Sequence, residues 1–347
     1  MPSVTIDAGI LAVPQGESSS ADAKSYVETL LDWSLLLREP WVGIYMSERA
    51  STVLFEDGLF PSRDQIKGLF TANGIVEFDF NTTVQVVDLL LKLTPSFETY
   101  FSIRDVLPDQ LGIEPDILNI CSGVSLQSDL TRCVVLIAIL GKHCQEPIND
   151  HFLILRKAPG KTVRVRAQIH ELEHDRTDLA AVPKPPEFFE GDVLVCDDLR
   201  GLIECLDEAG ILIDATDDVC IETAIRIAVY RFRLRNGMDP KWEDVPAHQV
   251  GSFFRKSLER LHLTHKQASK ILFSIAESLE QIRMSDTHAL RTGAGGGNPQ
   301  LLRRIDQAGA WRRDIDDEHH LHYWQCEGGR IEFAWLSFPH ADMTIPE

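Results

Sequence analysis

The sequence predicts an α+β protein, mainly helical, and three observations carry that expectation. Long stretches between residues 21 and 290 repeat apolar residues at helical spacing, whereas residues 149–197 and 301–347 alternate in strand fashion. The 347 residues are 44% hydrophobic and 25% charged, an ordinary composition for a folded chain with room for two or three domains. The longest unbroken apolar run, Cys133–Leu140 ("CVVLIAIL"), is far short of the roughly 20 residues that cross a bilayer, so no membrane partner is expected.

Taken in order, the elements are as follows. Residues 1–20 offer a short strand and then the Ser-rich "QGESSS", and are expected to form a mobile arm without a basic flank of the secretory kind. Residues 21–148 read as a helical domain. Val27, Leu30, Leu31 and Leu35 share one face of a first helix that Pro40 ends. Asn81 is a suitable N-cap for a helix with Val84, Val87, Leu90 and Leu91 inward. The run around Cys133–Leu140 is apolar nearly all round and belongs at the centre of this bundle.

Residues 149–197 change period. "HFLILRK", the turn "APGK" and the alternating Val163, Val165, Ala167 and Ile169 predict a β-hairpin, followed by a Pro-rich loop. Residues 198–290 return to helix. A cap at Asp217 or Asp218 opens one helix, and Thr264 with Gln267 forms a capping box for another, whose stripe runs from Ala268 to Ile282. "RTGAGGGNPQ" (291–300) reads as a Gly-rich hinge, because neither the lysine of a phosphate loop nor a preceding strand accompanies its glycines. Residues 301–347 predict an antiparallel β-meander of three strands, "AWRRDI", "HLHYWQ" and "IEFAWLS".

The most specific motif is His170-Glu171-Leu172-Glu173-His174. On a helix, His170 and His174 would bind zinc from one face while Glu171 served as general base, with Glu187 or Glu190 as third ligand. Glu173 and the charged Asp175 and Arg176 are out of place on a core zinc helix, and the preceding alternation places the histidines at a strand end. No cofactor is therefore expected, and zinc or another divalent metal is the alternative. The seven cysteines lack C-x-x-C spacing and read as free thiols of a cytoplasmic protein.

Net charge of −19 argues against a chain-wide nucleic-acid surface. Residues 250–313, however, carry 11 Lys or Arg against 5 Asp or Glu, so nucleic acid is a candidate partner there. Three of the six tryptophans fall in the last segment, where Trp311, Arg312, Trp324 and Trp335 are candidate interaction residues. Arg313, His320, His322 and His340 are the residue types that stabilise phosphate charge and move protons near neutral pH, and Asp314, Asp316, Asp317 and Glu318 could hold a metal.

An Arg-bearing strand, an aromatic strand, a Gly turn and a strand ending before a His give this segment a resemblance to the C-terminal sheet of RelE-type ribonuclease toxins. That resemblance implies RNA cleavage from the same Arg and His set. "HLHYW" and "IPE" also resemble stretches of uncharacterised bacterial anti-phage defence-cluster proteins, which implies an antiviral setting. No catalytic constellation is complete in the sequence, and charge and aromatics gather towards the C-terminus. The expected function is thus a non-catalytic subunit of a cytoplasmic complex with other protein subunits. A nuclease using the C-terminal cluster is the alternative, and a zinc hydrolase a third.

Overall fold

A computed structural model describes residues 2–15, 19–143, 150–176, 185–293, 297–337 and 345–347. The chain mixes helix and strand and divides into two compact units, Met1–Leu206 and Asp207–Glu347.

The first unit opens with β1 (Ser3–Ile6), α1 (Ser20–Leu36) and β2 (Gly43–Met46). Next come α2 (Ala50–Glu56), α3 (Arg63–Asn73), α4 (Phe80–Leu93), α5 (Phe97–Phe101) and β3 (Ile103–Glu114). It closes with α6 (Val124–His143), β4 (His151–Ile154), β5 (Thr162–His174), β6 (Glu187–Cys196) and α7 (Leu199–Cys205). Its six strands form one sheet in the order β2-β1-β4-β6-β5-β3. β2, β1, β4 and β6 run parallel, while β5 and β3 add antiparallel pairs at one edge.

Residues 3–6 are therefore the second strand of a sheet and not part of a mobile arm. β1 pairs on both sides, with Val4, Thr5 and Ile6 wholly buried. Strands covered on both faces lose the apolar-polar alternation that a sequence reader looks for. A buried histidine fastens the central pair. His151 meets Ser3 Oγ at 2.7 Å through Nδ1 and Thr5 Oγ1 at 2.8 Å through Nε2. Burial lowers its pKa to about 3, so the imidazole is neutral.

The expected β4–β5 hairpin is also absent. β4 lies between β1 and β6, and β5 pairs with β6 and β3. α6 is the central helix of the unit, with Cys133–Leu140 all buried. By length and composition it would cross a membrane, but most of it is covered by the rest of the unit. Asp57 holds its first turn, accepting from Ser125 N at 3.1 Å and Leu126 N at 2.8 Å. A Cβ on Gly123 would sit 1.9 Å from that carboxylate, so any side chain there would displace Asp57 from the helix start.

The second unit contains α8 (Glu208–Ile213), α9 (Asp218–Arg235), β7 (His248–Val250), α10 (Ser252–Leu261) and α11 (His265–Leu279). β8 (Thr287–Ala289), β9 (Gly309–Asp314), β10 (His320–Gln325) and β11 (Ile331–Ser337) complete it. The last three strands form the expected antiparallel meander, within a sheet ordered β7-β11-β10-β9-β8. Asp217 caps α9, and Thr264 with Gln267 makes the capping box of α11. Ile225, Ala228, Ile271 and Ile275 from α9 and α11 pack with Leu321, Phe333 and Leu336 of the sheet. Arg291 and Gln300, the two ends of the Gly-rich 291–300 segment, pair with each other between β8 and β9. Leu301 N also donates to Leu290 O at 2.7 Å, so the residues on either side of the segment are tied together within the second unit. Gly295 and Gly296 lie outside the described residues.

Candidate functional site

In an open sheet of parallel strands, ligands settle outside the carboxyl ends, where successive connections leave in opposite directions. In the first unit that place is between β1 and β4, because the chain leaves β1 for β2 on one side and leaves β4 for β5, beyond β6, on the other. A cleft of about 720 Å³ lies there. Its lining comes from the segments after β1 (Ile10, Pro14, Gln15) and β4 (Arg156, Lys157), from α1 (Asp22, Ser25, Tyr26, Thr29) and from Asn119, Ile120 and Ser122. The size is that of a small-molecule site, and the walls mix apolar surface with a few polar groups.

Each polar group is held by the local fold. Tyr26 is buried and donates its hydroxyl to Leu11 O at 2.9 Å. Arg156 lies with its guanidinium 5.8 Å from the Tyr26 ring centre and donates to Ala12 O. The aromatic face and that carbonyl hold the guanidinium in place at the cleft wall. Asp22 caps the first turn of α1 in a reciprocal box with Ser19, whose hydrogen bonds lower the Asp22 pKa. That carboxylate stands one helical turn before Tyr26 and makes the start of α1 unattractive to an anion. An anionic group is thus directed to Arg156 and Lys157, and hydroxyl donors to Asp22.

Behind the cleft lies a set of buried carboxylates. Asp7, at the end of β1, accepts from Gly9 N at 3.0 Å. Burial, and then the charge of Asp129, raise its pKa to about 7, although Gly9 N–H and Arg156 pull it down. Cys121 Sγ is 3.9 Å from Asp7 Oδ2, and burial raises that thiol. Cys121 sits between the cleft residues Ile120 and Ser122, so Asp7 is one residue layer behind the cleft wall. Asp129 and Glu98 share Arg132, and Ser47 Oγ donates to Asp129 at 2.9 Å. Arg132 Nη1 also donates to Arg104 O at 3.0 Å, so this set ties the end of β2 to α5, α6 and β3.

The residues singled out by sequence lie elsewhere. His170 and His174 are both on the strand β5 and not on a helix. A strand advances about 3.3 Å per residue, so four residues separate them by about 13 Å along the backbone, and the one-turn pairing of a zinc helix is lost. His170 Nε2 is instead 3.6 Å from Asp109 Oδ2. Glu190 is engaged by Arg164 and Arg166 across β5 and β6, and Glu187 pairs with Ile169. Among the described residues, no three His, Cys, Asp or Glu are grouped to hold a metal ion.

In the second unit, Arg313, His320 and His322 are almost wholly buried within the sheet. Arg313 Nη2 meets Glu277 Oε2 at 2.5 Å and Nη1 donates to Ile282 O at 3.1 Å, which ties β9 to α11. His320 Nδ1 is 2.9 Å from Asp314 Oδ1. A phosphodiester cannot meet these groups without opening the sheet. His340 lies outside the described residues. Asp316 is engaged by His319 at 2.8 Å and Lys270 at 3.0 Å. Although burial pushes its pKa up, those hydrogen bonds hold it well below the usual carboxylate range.

Trp324 is buried and donates to Pro346 O at 3.0 Å, with Arg303 over its ring. Trp311 is half-buried against the core, and Arg312 lies 3.1 Å from Asp314. Trp335 borders a surface cleft with Phe253, Lys256 and Arg260.

Asp7, Tyr26 and Arg156 were not singled out from the sequence. The available signal was "VTI" and "HFLIL" ending abruptly in Asp7 and in Arg156-Lys157, as buried parallel strands do where they emerge. No protein-family model, curated protein or solved structure gives a significant match to the chain.

Proposed function

We propose that the first unit binds a small phosphorylated, hydroxyl-bearing molecule, of the sugar phosphate or nucleoside monophosphate kind, in the cleft outside β1 and β4. The observation that carries this reading is Arg156, fixed over Tyr26 beside Lys157 at the point where the sheet connections reverse. Guanidinium and ammonium groups meet the phosphate, Asp22 accepts from hydroxyls, and Ile10, Pro14 and Ile120 cover an apolar part of the ligand. These groups supply recognition, which agrees with the proposal that the chain is a non-catalytic subunit answering to a ligand within a larger assembly.

Thermal unfolding followed with AMP, ribose 5-phosphate, inorganic phosphate and adenosine tests the reading. At roughly 100 times its Kd a ligand stabilises the folded state by about 2.7 kcal/mol. AMP or ribose 5-phosphate should raise the melting temperature of the wild type and not of an Arg156→Ala/Lys157→Ala protein. A shift that survives the double substitution would place binding elsewhere.

A further inference from the structure

We infer that the second unit carries a separate binding site for single-stranded nucleic acid, formed where α10 crosses β11. The site is independent of the cleft in the first unit. α10 begins against the strand: Gly251 N donates to Phe333 O at 2.8 Å, and a Cβ on Gly251 would meet the same oxygen at 2.8 Å. Glycine is what allows the helix to start this close to β11. Phe254 and Ser257 face inward, and Ser257 Oγ accepts from Leu336 N at 3.0 Å. Phe253, Lys256 and Arg260, at i, i+3 and i+7, are left on the exposed side.

A bulge supplies the fourth group. The pairing of β10 with β11 shifts between His322↔Trp335 and Tyr323↔Phe333, which leaves Ala334 as an extra residue. An extra residue reverses the alternation that follows it, so Phe333 and Leu336 both enter the core. Trp335 is turned out beside Arg260, whose guanidinium lies 5.6 Å from the indole centre. Lys256 Nζ lies 4.9 Å from the centre of Phe253. Phe253, Lys256, Arg260, Trp335, Ile345 and Pro346 line an open cleft of about 410 Å³.

Two aromatic rings interleaved with two exposed cations match the chemistry of an unpaired strand. Bases have π-faces to stack on rings or on guanidinium planes, and phosphates seek the cations. Lys256 and Arg260 offer the cleft two cations for phosphates, although the chain as a whole carries −19. Stacking on rings accepts any base, because every base has a π-face.

Fluorescence anisotropy of labelled oligo-dT and oligo-U with the full chain tests this, from about 50 to 200 mM KCl. The wild type should bind at least one of the two, and the choice separates DNA from RNA. A Lys256→Glu/Arg260→Glu protein should bind at least tenfold more weakly, with the slope of log K against log[KCl] reduced by about 1.4 for two lost phosphate contacts. Phe253→Ala, a change at an exposed position, should weaken binding and leave that slope unchanged. Binding of neither oligonucleotide, or equal binding by the charge-reversed protein with native circular dichroism, would overturn the inference. Preferential capture of polyglutamate through the same four residues would overturn it too, since the site would then serve acidic polypeptide.

Discussion

Replacing Asp7 by Asn should make the first unit more stable at alkaline pH. The carboxyl is buried at the end of β1, and burial together with Asp129 raises its pKa from 3.8 to about 7. In the unfolded chain it ionises as an ordinary aspartate. Between those two values the folded protein holds a proton that the unfolded chain has released, so stability falls as pH rises and levels off above about 7. Three pKa units at 1.36 kcal/mol each set an upper figure of about 4 kcal/mol for this loss. Asparagine keeps an oxygen for Gly9 N–H and cannot ionise. Urea unfolding of both proteins at pH 5 and pH 8, followed by tryptophan fluorescence, isolates the effect, because other titrating groups cancel in the difference. Only the part of the window above pH 5 falls between the two conditions, about two pKa units, so the variant should gain about 2–3 kcal/mol relative to wild type between them. An equal pH slope in the two proteins would refute the argument that a buried, proton-holding carboxyl lies behind the cleft.

Arg132→Met should be among the most damaging single substitutions, because it strands Glu98 and Asp129 without their cation. Urea unfolding should show a loss of about 3–5 kcal/mol, and a loss under about 1 kcal/mol would mean that the carboxylates take up protons at little cost. In the second unit, burial alone would lower the His248 pKa, but Glu222 at 2.9 Å outweighs it and the net shift is upward. This pair adds stability that is full below about pH 6.5 and lost as pH rises through the folded value, so Glu222→Gln should destabilise more at pH 5.5 than at pH 8.5. Metal analysis of the purified protein should find no stoichiometric zinc, and a zinc lost on replacing His170 or His174 would contradict their separation along β5.

The amphipathic parts of this fold were legible because their patterns are local. The capping box of α11, the Asp217 cap, the apolar run Cys133–Leu140 of α6 and the three strands of the meander each follow from a few neighbouring residues. The first sheet was not legible for the opposite reason. β1, β2 and β4 are four residues each and covered on both faces, and their partners lie far along the chain. β3 was hidden by Pro108 and by bulges against β5 that break its alternation. The same cause hid the cleft, since Arg156 and Tyr26 are 130 residues apart and only the parallel pairing of β1 with β4 brings them together. In the second unit the chemistry of Arg313, His320 and His322 was visible while their burial was not. One-residue alternation places side chains on two faces but does not say that both faces of β10 are covered.

The cleft reading is tested most directly by a crystal structure of the protein soaked with AMP. The account predicts a phosphate within hydrogen-bond distance of the Arg156 guanidinium, a ribose hydroxyl on the Asp22 carboxylate and the base against Ile10 or Ile120. Ordered nucleotide at another surface, with this cleft holding only water, would contradict it.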